Sequence, residues 1–220
     1  IKGLFSVVNP NYNNSDNTLF TTIESSTTDK MDKFGYDTSK YGFKLGTEYE
    51  QYEDVFFTPN ISVYLEDLKT NSKASSQLKK QSGEYFDIAG SYAFSLDKRD
   101  QKFKTNEGYK TYFSQNIPFI TEDGALQNTF EYKKYHKFAD EMIGRISFYA
   151  NTINSITDND VRISKRSFIP SSKLRGFEPG RIGPKDGNEH VGGNYAASLN
   201  FEGGCYAKVI RLNKNDEPDI

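Results

Sequence analysis

A Gly- and Pro-rich segment near the C-terminal end, residues 169–194, carries the side chains best suited to specific binding. It contains the run Leu174-Arg175-Gly176-Phe177, in which a guanidinium with five N–H donors stands among apolar residues. Such a fork suits a carboxylate, so the chemistry indicated is a charge-assisted hydrogen bond. Glycine permits positive φ and proline fixes φ, which together predict a defined, folded-back loop. Because Leu174 and Phe177 are apolar, we expect the loop to pack against a surface.

The sequence offers no constellation for covalent or acid–base catalysis. Histidine occurs twice, and we interpret His136 as an exposed residue near a strand end and His190 as a loop residue that makes hydrogen bonds. No Gly-x-Ser-x-Gly motif, phosphate-binding loop or Cys/His cluster of metal-ligand spacing occurs, and Cys205 stands alone. We therefore expect a protein that is not an enzyme and that uses no cofactor and no metal.

The elements that must position these residues repeat with a period of two. Over residues 41–50, for example, Tyr, Phe, Leu, Thr and Tyr alternate with Gly, Lys, Gly, Glu and Glu, and helical spacing is nowhere sustained. Successive side chains of a strand point to opposite faces, so each segment has one apolar and one polar face. We predict nine strands, over residues 2–9, 18–26, 40–51, 60–69, 84–97, 108–117, 125–136, 143–154 and 193–202.

Strand length and composition together favour an all-β, antiparallel transmembrane β-barrel. Most predicted strands have about 8–14 residues, enough to cross a bilayer at the usual tilt. Mean hydropathy is −0.75 and 35% of the 220 residues are apolar, which suits strands with one face toward lipid and one toward a polar lumen. No run of about 18 apolar residues is present to form a spanning helix. The net charge of −2 gives no basic footprint, so we expect no nucleic-acid partner.

The connections between the predicted strands tend to alternate between short and long, as periplasmic turns and outer loops of such barrels do. The stretches 27–39 and 70–83 are long, whereas 118–124 is brief where a long loop is due. Two connections carry the most information, namely the charged turn 97–108, closed by a glycine, and the connection at about 155–192. Structureless loops of that length are rare and usually functional. In a barrel, the surface against which such a loop can pack is the lumen wall.

Four landmarks resemble the BamA-like family of outer-membrane assembly factors. Arg-Gly-Phe in the long loop is followed by Ile-Gly-Pro-Lys and by Val-Gly-Gly-Asn, which leads into an alternating strand, as in the signature loop of that family. The turn 97–108 is similar to the family's Asp-Arg…Pro-Thr-x-Gly turn, with Lys104 at the proline position. The resemblance covers about residues 1–202. Its loop residues are Leu174, Arg175, Gly176, Phe177, Ile182, Gly183, Pro184, Gly192 and Gly193.

The resemblance implies a barrel of about 16 strands in the intact protein, of which this chain holds about nine as an incomplete, open and curved meander sheet. It further implies a location in the outer membrane of a Gram-negative bacterium and a role in folding β-barrel proteins and inserting them there. The partners implied are unfolded outer-membrane β-barrel clients, accessory subunits of the BAM assembly complex, and outer-membrane lipid. In the implied mechanism, a barrel seam with poorly paired edges templates an incoming strand by β-augmentation.

The resemblance also assigns a role to the loop. In the family the loop folds into the lumen and its arginine makes charge-assisted contacts with the inner wall, which implies this role for Arg175. Gly176 then allows the sharp turn, and Phe177 packs against the wall. Asn200 and Glu202 on the following strand are predicted to face the same lumen and are the partners expected for the loop. Arg175→Ala is therefore expected to slow outer-membrane assembly or to destabilise the barrel.

Residues 203–220 depart from the family's pattern, because they lose the alternation and contain the single cysteine, Cys205. We interpret them as an atypical tail, from a truncated or frame-shifted end, after a partial barrel domain that spans 1–202. At the other end, the first residues already have strand character and no signal peptide is visible, so we expect the N-terminus of the intact protein to lie upstream.

Alternatives to an assembly factor stay open at this point. Within the superfamily they are a TamA-type factor and a two-partner secretion pore, although the Ile-Gly-Pro-Lys and Val-Gly-Gly-Asn segments favour the BamA-like interpretation. A general diffusion porin would have a constriction loop lined with charge and no Arg-Gly-Phe apex. A soluble β-sandwich binding module would have to bury the aromatic faces of all nine predicted strands.

Overall fold

The computed structural model describes residues 1–31, 35–71, 74, 76–140, 142–178, 180–187 and 189–205. Within these residues the strands are β1 (Lys2–Asn9), β2 (Thr18–Lys30), β3 (Tyr36–Tyr52), β4 (Val55–Phe57), β5 (Asn60–Thr70), β6 (Gly83–Asp97), β7 (Gly108–Ile120), β8 (Ala125–Ala139), β9 (Met142–Ser155), β10 (Lys185–Asp186), β11 (Glu189–His190) and β12 (Tyr195–Cys205). A short 3-10 turn (Tyr12–Asn14) and one helical turn, α1 (Ser76–Lys79), lie between strands. No helix among the described residues is long and apolar enough to cross a membrane.

Ten of these strands form one antiparallel sheet, which runs in sequence order from β1 at one edge to β12 at the other. β4 and β5 both lie between β3 and β6, so they occupy a single strand position. Pro59 separates the two because it has no N–H to donate to a ladder. Counted by position, the sheet has the nine strands that the sequence predicts, and the predicted open meander is confirmed.

The two faces of the sheet differ as the alternation predicts. Register places apolar residues opposite apolar residues on one face, for example Phe43 against Val63 and Val63 against Ile88. A slip of one residue would turn all of these side chains to the other face. An uncovered apolar face is suited to contact with lipid. The exposed apolar side chains on it include Tyr41, Phe43, Leu45, Ile61, Leu65, Phe86, Phe94, Ile146, Phe148, Leu199 and Phe201.

Buried apolar packing concentrates at one end of the sheet, which we call the rim. Here β3 begins, β5 ends and α1 contributes Leu78 to the packing. The long loop, residues 156–194 between β9 and β12, adds its own apolar side chains to this packing. The resulting cluster consists of Tyr36, Leu68, Ala74, Leu78, Ile163 and Val191, with Tyr85 and Phe168 packed against it. The long loop is therefore part of the packed structure.

The structure adjusts several predicted boundaries. The connection predicted as long at 27–39 is wrong, because β2 continues to Lys30 and β3 already begins at Tyr36. β12 continues through Cys205, so the first residues of the predicted tail extend a strand paired with β9. Residues 206–220, the rest of that tail, lie outside the described residues. The long loop contains a small hairpin of β10 and β11. The predicted connection 52–59 includes β4, because Asp54 takes positive φ (61°) and turns the chain within two residues.

Candidate functional site

Arg162, in the first part of the long loop, is 1% exposed and donates hydrogen bonds to three carboxylates. Its Nε and Nη2 donate to the two carboxylate oxygens of Asp123, at 2.7 and 2.6 Å. Its Nη1 donates to Glu66 at 2.7 Å, and Nη2 also donates to Asp87 at 3.0 Å. Carboxylates from β5, from β6 and from the β7–β8 turn therefore meet at one guanidinium.

Three further groups complete this arrangement. Lys165 Nζ lies 3.1 Å from Asp87 Oδ1 and 3.2 Å from Asp123 Oδ1. The guanidinium carbon of Arg162 lies 3.7 Å from the ring centroid of Tyr85, a cation–π distance. Thr121 Oγ1 donates to Asp87 at 2.5 Å. We call Arg162, Lys165 and the three carboxylates, Glu66, Asp87 and Asp123, the Arg162 cluster.

The electrostatics of the Arg162 cluster favour the ionised arginine. Burial opposes the charged form, but the hydrogen bond to Asp123 and the negative charges of Glu66 and Asp87 outweigh burial and raise the pKa of Arg162. A buried ion pair that loses one partner leaves a charge without compensation, which typically costs about 3–5 kcal/mol. Displacing Arg162 from the sheet would leave three such carboxylates facing one lysine.

Apolar side chains on both sides of the buried arginine fix the same segment to the rim. Val161 packs with Ala125 and Ile153 in a second buried cluster. Ile163 belongs to the larger rim cluster, and its backbone N–H donates to Gln81 Oε1 at 2.8 Å. Val161 and Ile163 thus fix the chain on either side of Arg162, and the chain turns directly afterwards, where the Lys165 and Arg166 N–H groups donate to the carbonyl of Arg162. We call residues 156–167 the base of the loop.

The last part of the loop returns to the base and is bonded to it. Ser167 and Gly193 exchange both backbone hydrogen bonds, at 2.8 and 3.0 Å. Gly192 has φ +68°, and a Cβ there would lie 2.9 Å from the ring of Phe168, so glycine is required on both grounds. The Val191 N–H donates to the carbonyl of Pro184 at 3.1 Å. His190, predicted to make hydrogen bonds in the loop, is buried at the end of β11.

The central part of the loop, residues 168–183, extends away from the rim, and we call it the apex. It holds the run Leu174-Arg175-Gly176-Phe177. Gly176 has φ +85°, the left-handed conformation that the predicted sharp turn needs. The apolar residues of the apex lie around one small pocket, lined among others by Ile169, Leu174, Phe177 and Ile182. They therefore pack on one another, and Phe177 stays 58% exposed instead of packing on the wall.

The apex reaches the inner face through Lys173. Its ammonium pairs with Glu131 of β8, and its carbonyl accepts a hydrogen bond from Asn200 Nδ2 at 2.7 Å. The backbone turns just before this point, where the Lys173 N–H donates to the carbonyl of Pro170 at 2.8 Å. Asn200, one of the two lumen partners expected for the loop, thus bonds to the loop, but to the backbone of Lys173.

The structure does not place Arg175 where the resemblance implies. Arg175 is exposed, and its side chain has no hydrogen-bond or ion-pair partner among the described residues. Glu202, the other expected partner, pairs with Arg145. The cause is register, because Arg145 lies directly opposite Glu202 in the β9–β12 ladder and is its nearest cation. The cation that the loop does bury in the wall is Arg162.

The charged turn between β6 and β7 has the geometry of a specific, glycine-closed turn. Arg99 donates twice to Asp97, at 2.7 Å each, and the backbone N–H of Asn106 donates to Asp100 at 3.0 Å. Gly108 has φ +98°, and a Cβ there would lie 2.1 Å from a backbone oxygen. Lys104 has φ +54°, which a proline ring cannot adopt. This turn therefore departs in conformation from a proline turn at that position.

Sequence reasoning missed Arg162 because no motif contains it. Two of its partners, Glu66 and Asp87, alternate with apolar residues of β5 and β6, so the alternation alone places them on the inward face. The signal that could have pointed to Arg162 is that inward-facing carboxylates need a cation when they are buried. Choosing among the loop's several cations, however, required the three-dimensional path of the chain.

Comparison with known proteins gives the family and the fold. The sequence profile described as "Omp85 superfamily domain" matches residues 2–203. The structure is similar to the crystal structure of BamA from Haemophilus ducreyi lacking POTRA domains 1–3, with a TM-score of 0.81 and 15% sequence identity. That similarity covers 98% of this chain and 46% of that chain, so this chain has the fold of part of a BamA barrel and spans less than half of that structure.

One curated protein shares a short stretch. Over 34 residues the chain is 53% identical to phosphoenolpyruvate carboxykinase (ATP) from Methylobacterium radiotolerans, which is 16% of this chain and 6% of that protein. So small a share of an enzyme holds no catalytic domain and carries no argument about activity. The family profile, in contrast, spans nearly all described residues, and the chain therefore belongs to the Omp85 superfamily.

Proposed function

We propose that the intact protein is an outer-membrane assembly factor that folds β-barrel proteins and inserts them into the bacterial outer membrane. Membership in the Omp85 superfamily and a fold like part of a BamA barrel support the general class. The observation that carries the finer assignment is the long loop, whose base is held on the inner face by Arg162 and whose apex presents Arg-Gly-Phe. A loop that only connects two strands does not need a buried charge cluster, because burying charges has a desolvation cost.

In the proposed mechanism the sheet and the loop have separate tasks. The exposed apolar face contacts lipid, and the polar inner face borders an aqueous lumen. The loop braces the inner wall from β5 to β12, through the Arg162 cluster at one end and through Lys173 at the other. Client strands add by β-augmentation at a barrel seam. No covalent step, metal or cofactor takes part, and the partners are unfolded client barrels, accessory subunits and lipid.

A secretion pore of the same superfamily is the second candidate, because family membership supports it equally. A general diffusion porin has less support. Such a porin needs an open constriction lined with charge, whereas the base of this loop is packed against the wall and its Arg162 and Lys165 are bound to carboxylates. The sequence segments Ile-Gly-Pro-Lys and Val-Gly-Gly-Asn favour the assembly factor over the secretion pore.

Depletion of the full-length protein in its host tests the proposal. Several unrelated outer-membrane barrels should then lose their folded, heat-modifiable form on gels, because their insertion stops. Purified full-length protein in liposomes should also accelerate the folding of a urea-unfolded client barrel. Loss of a single secreted partner with normal barrel assembly would instead identify a secretion pore. Steady single-channel conductance without any assembly defect would identify a porin.

A further inference from the structure

Burial is distributed unevenly along the long loop. Its base contributes a fully buried arginine and two buried apolar residues, Val161 and Ile163. Its apex contains Arg175 and Phe177, two residues of the run that resembles the family's signature, and both side chains are exposed. The part of the loop that contacts the wall most strongly is therefore separate from the part that carries the signature residues.

The contacts of the apex with the wall are few and partly exposed. The Lys173–Glu131 pair has side chains that are 18% and 27% exposed, and partly exposed pairs contribute little to conformational preference. The bond from Asn200 reaches a backbone carbonyl, which every residue type at that position would supply. These contacts fix where the apex touches the wall only if the base already brings it there.

The base is connected to the apex by a short and well-defined path. Ser167, the last residue of the base, is five residues from Arg162 and exchanges two backbone hydrogen bonds with Gly193. Arg166 also donates from Nε to the carbonyl of Val161 at 3.0 Å, which closes the base on itself. Both arms of the apex therefore leave the rim from one point, which lies close in sequence to the Arg162 cluster.

We propose that Arg162 is a positioning residue, which acts through the base of the loop to set where the apex meets the inner face. It holds β5, β6 and the β7–β8 turn at one guanidinium, and through Ser167 it sets the origin of the apex. The effect of Arg162 on client assembly rests on the proposed function. Its effect on the position of the apex does not.

The test is a distance measurement in the full-length protein. Spin labels are attached at Ser172 in the apex and at Leu199 on the outer face of β12, both exposed, in a Cys205→Ser background. The variants are Arg162→Met and the double variant Arg162→Met/Asp123→Asn. The double variant keeps the cluster's net charge of −1, since three carboxylates and two cations become two carboxylates and one cation. Arg181→Met is the control, an exposed arginine of the same loop.

Wild-type protein and Arg181→Met should give the same narrow distance distribution by double electron–electron resonance. Both Arg162 variants should give a shifted or broadened distribution, and the double variant should keep a folded, heat-modifiable barrel. If Arg162 acted only by balancing charge, the double variant, which keeps the wild-type net charge of the cluster, would give the wild-type distance. That result would overturn the proposal.

Client assembly is measured separately in the same variants. Slower assembly in both Arg162 variants supports the functional half of the proposal. A displaced apex with normal assembly, in a protein whose depletion stops assembly, would overturn that half. If depletion itself has no effect on assembly, the proposed function fails, while the distance measurement still decides whether Arg162 positions the apex.

Discussion

Two arginines of one loop have opposite environments. Arg162 is 1% exposed and bonds to three carboxylates, whereas Arg175 is exposed and has no side-chain partner among the described residues. Thirteen positions separate them in the sequence. The exposed residue lies in the run that resembles the family's signature, and the buried one lies in no motif.

The difference shows that a recognisable motif and a structural anchor are different properties of a loop. A charged side chain is buried only where partners already converge, because isolated burial is too costly. The inner face offers that convergence at Glu66, Asp87 and Asp123, and the base of the loop uses it. The apex is left as the part whose side chains are available for other contacts.

Arg162→Met has the largest expected effect on stability. It leaves three carboxylates facing Lys165, and the loss of one partner from a buried pair predicts destabilisation by about 3–5 kcal/mol. The measurement is the folded fraction of the full-length protein, from heat-modifiable gel migration across a urea series. Arg181→Met is the matched control and should change stability by no more than about 0.5 kcal/mol. Equal urea midpoints for the two variants would remove the distinction between base and apex.

The β6–β7 turn extends the comparison to a segment held by backbone geometry. Lys104→Pro should destabilise by more than about 1 kcal/mol, because φ there is +54° and proline requires negative φ. Lys104→Gly should be neutral or stabilise by up to about 1 kcal/mol, because it relieves the left-handed conformation. The folded fractions of both Lys104 variants are measured across the same urea series. A proline variant as stable as the glycine variant would show that the turn does not keep this conformation in the intact protein.

Lys173→Met tests the contact between apex and wall. Its pair with Glu131 is partly exposed, so we expect a loss of about 0.2–1 kcal/mol, several times less than at Arg162. Raising the ionic strength should reduce the difference in stability between the wild type and Lys173→Met, because partly exposed pairs are screened. A loss as large as that of Arg162→Met would assign the anchor to the apex instead of the base.

Arg175→Ala should have the smallest effect on stability, within about 0.5 kcal/mol, because the side chain is exposed and unpaired among the described residues. Its expected effect is on client assembly, which should slow in liposomes. Arg162→Met should therefore lower stability, whereas Arg175→Ala should slow client assembly without lowering stability. Normal assembly together with normal stability would count against the role that the resemblance implies for Arg175.

Much of the fold could be predicted because period-two alternation depends on local sequence alone. The nine predicted strands match β1 to β9 and β12 when β4 and β5 are counted as one position. Among the missed strands, β10 and β11 have two residues each, and β4 has three and follows a turn at Asp54 that no glycine marks. Three residues are too few to establish alternation.

The site was less predictable because its contacts are remote in sequence. Arg162 bonds to Glu66, 96 positions away, and to Asp87, 75 positions away. The expected partner of Arg175, Glu202, is instead paired with Arg145, because strand register places these two residues opposite each other. The backbone of the loop was better anticipated, because the positive φ of Gly176, Gly183 and Gly192 follows from residue type.

A double-mutant cycle on Arg162 and Asp123 tests most directly whether the base anchors the loop. The urea midpoints of Arg162→Met, Asp123→Asn and the double variant are compared with that of the wild-type full-length protein. Direct bonds at 2.6 and 2.7 Å predict a coupling free energy of about 1–3 kcal/mol, with the double variant more stable than the sum of the single losses implies. Losses that add within about 0.5 kcal/mol would contradict an anchor built on this pair.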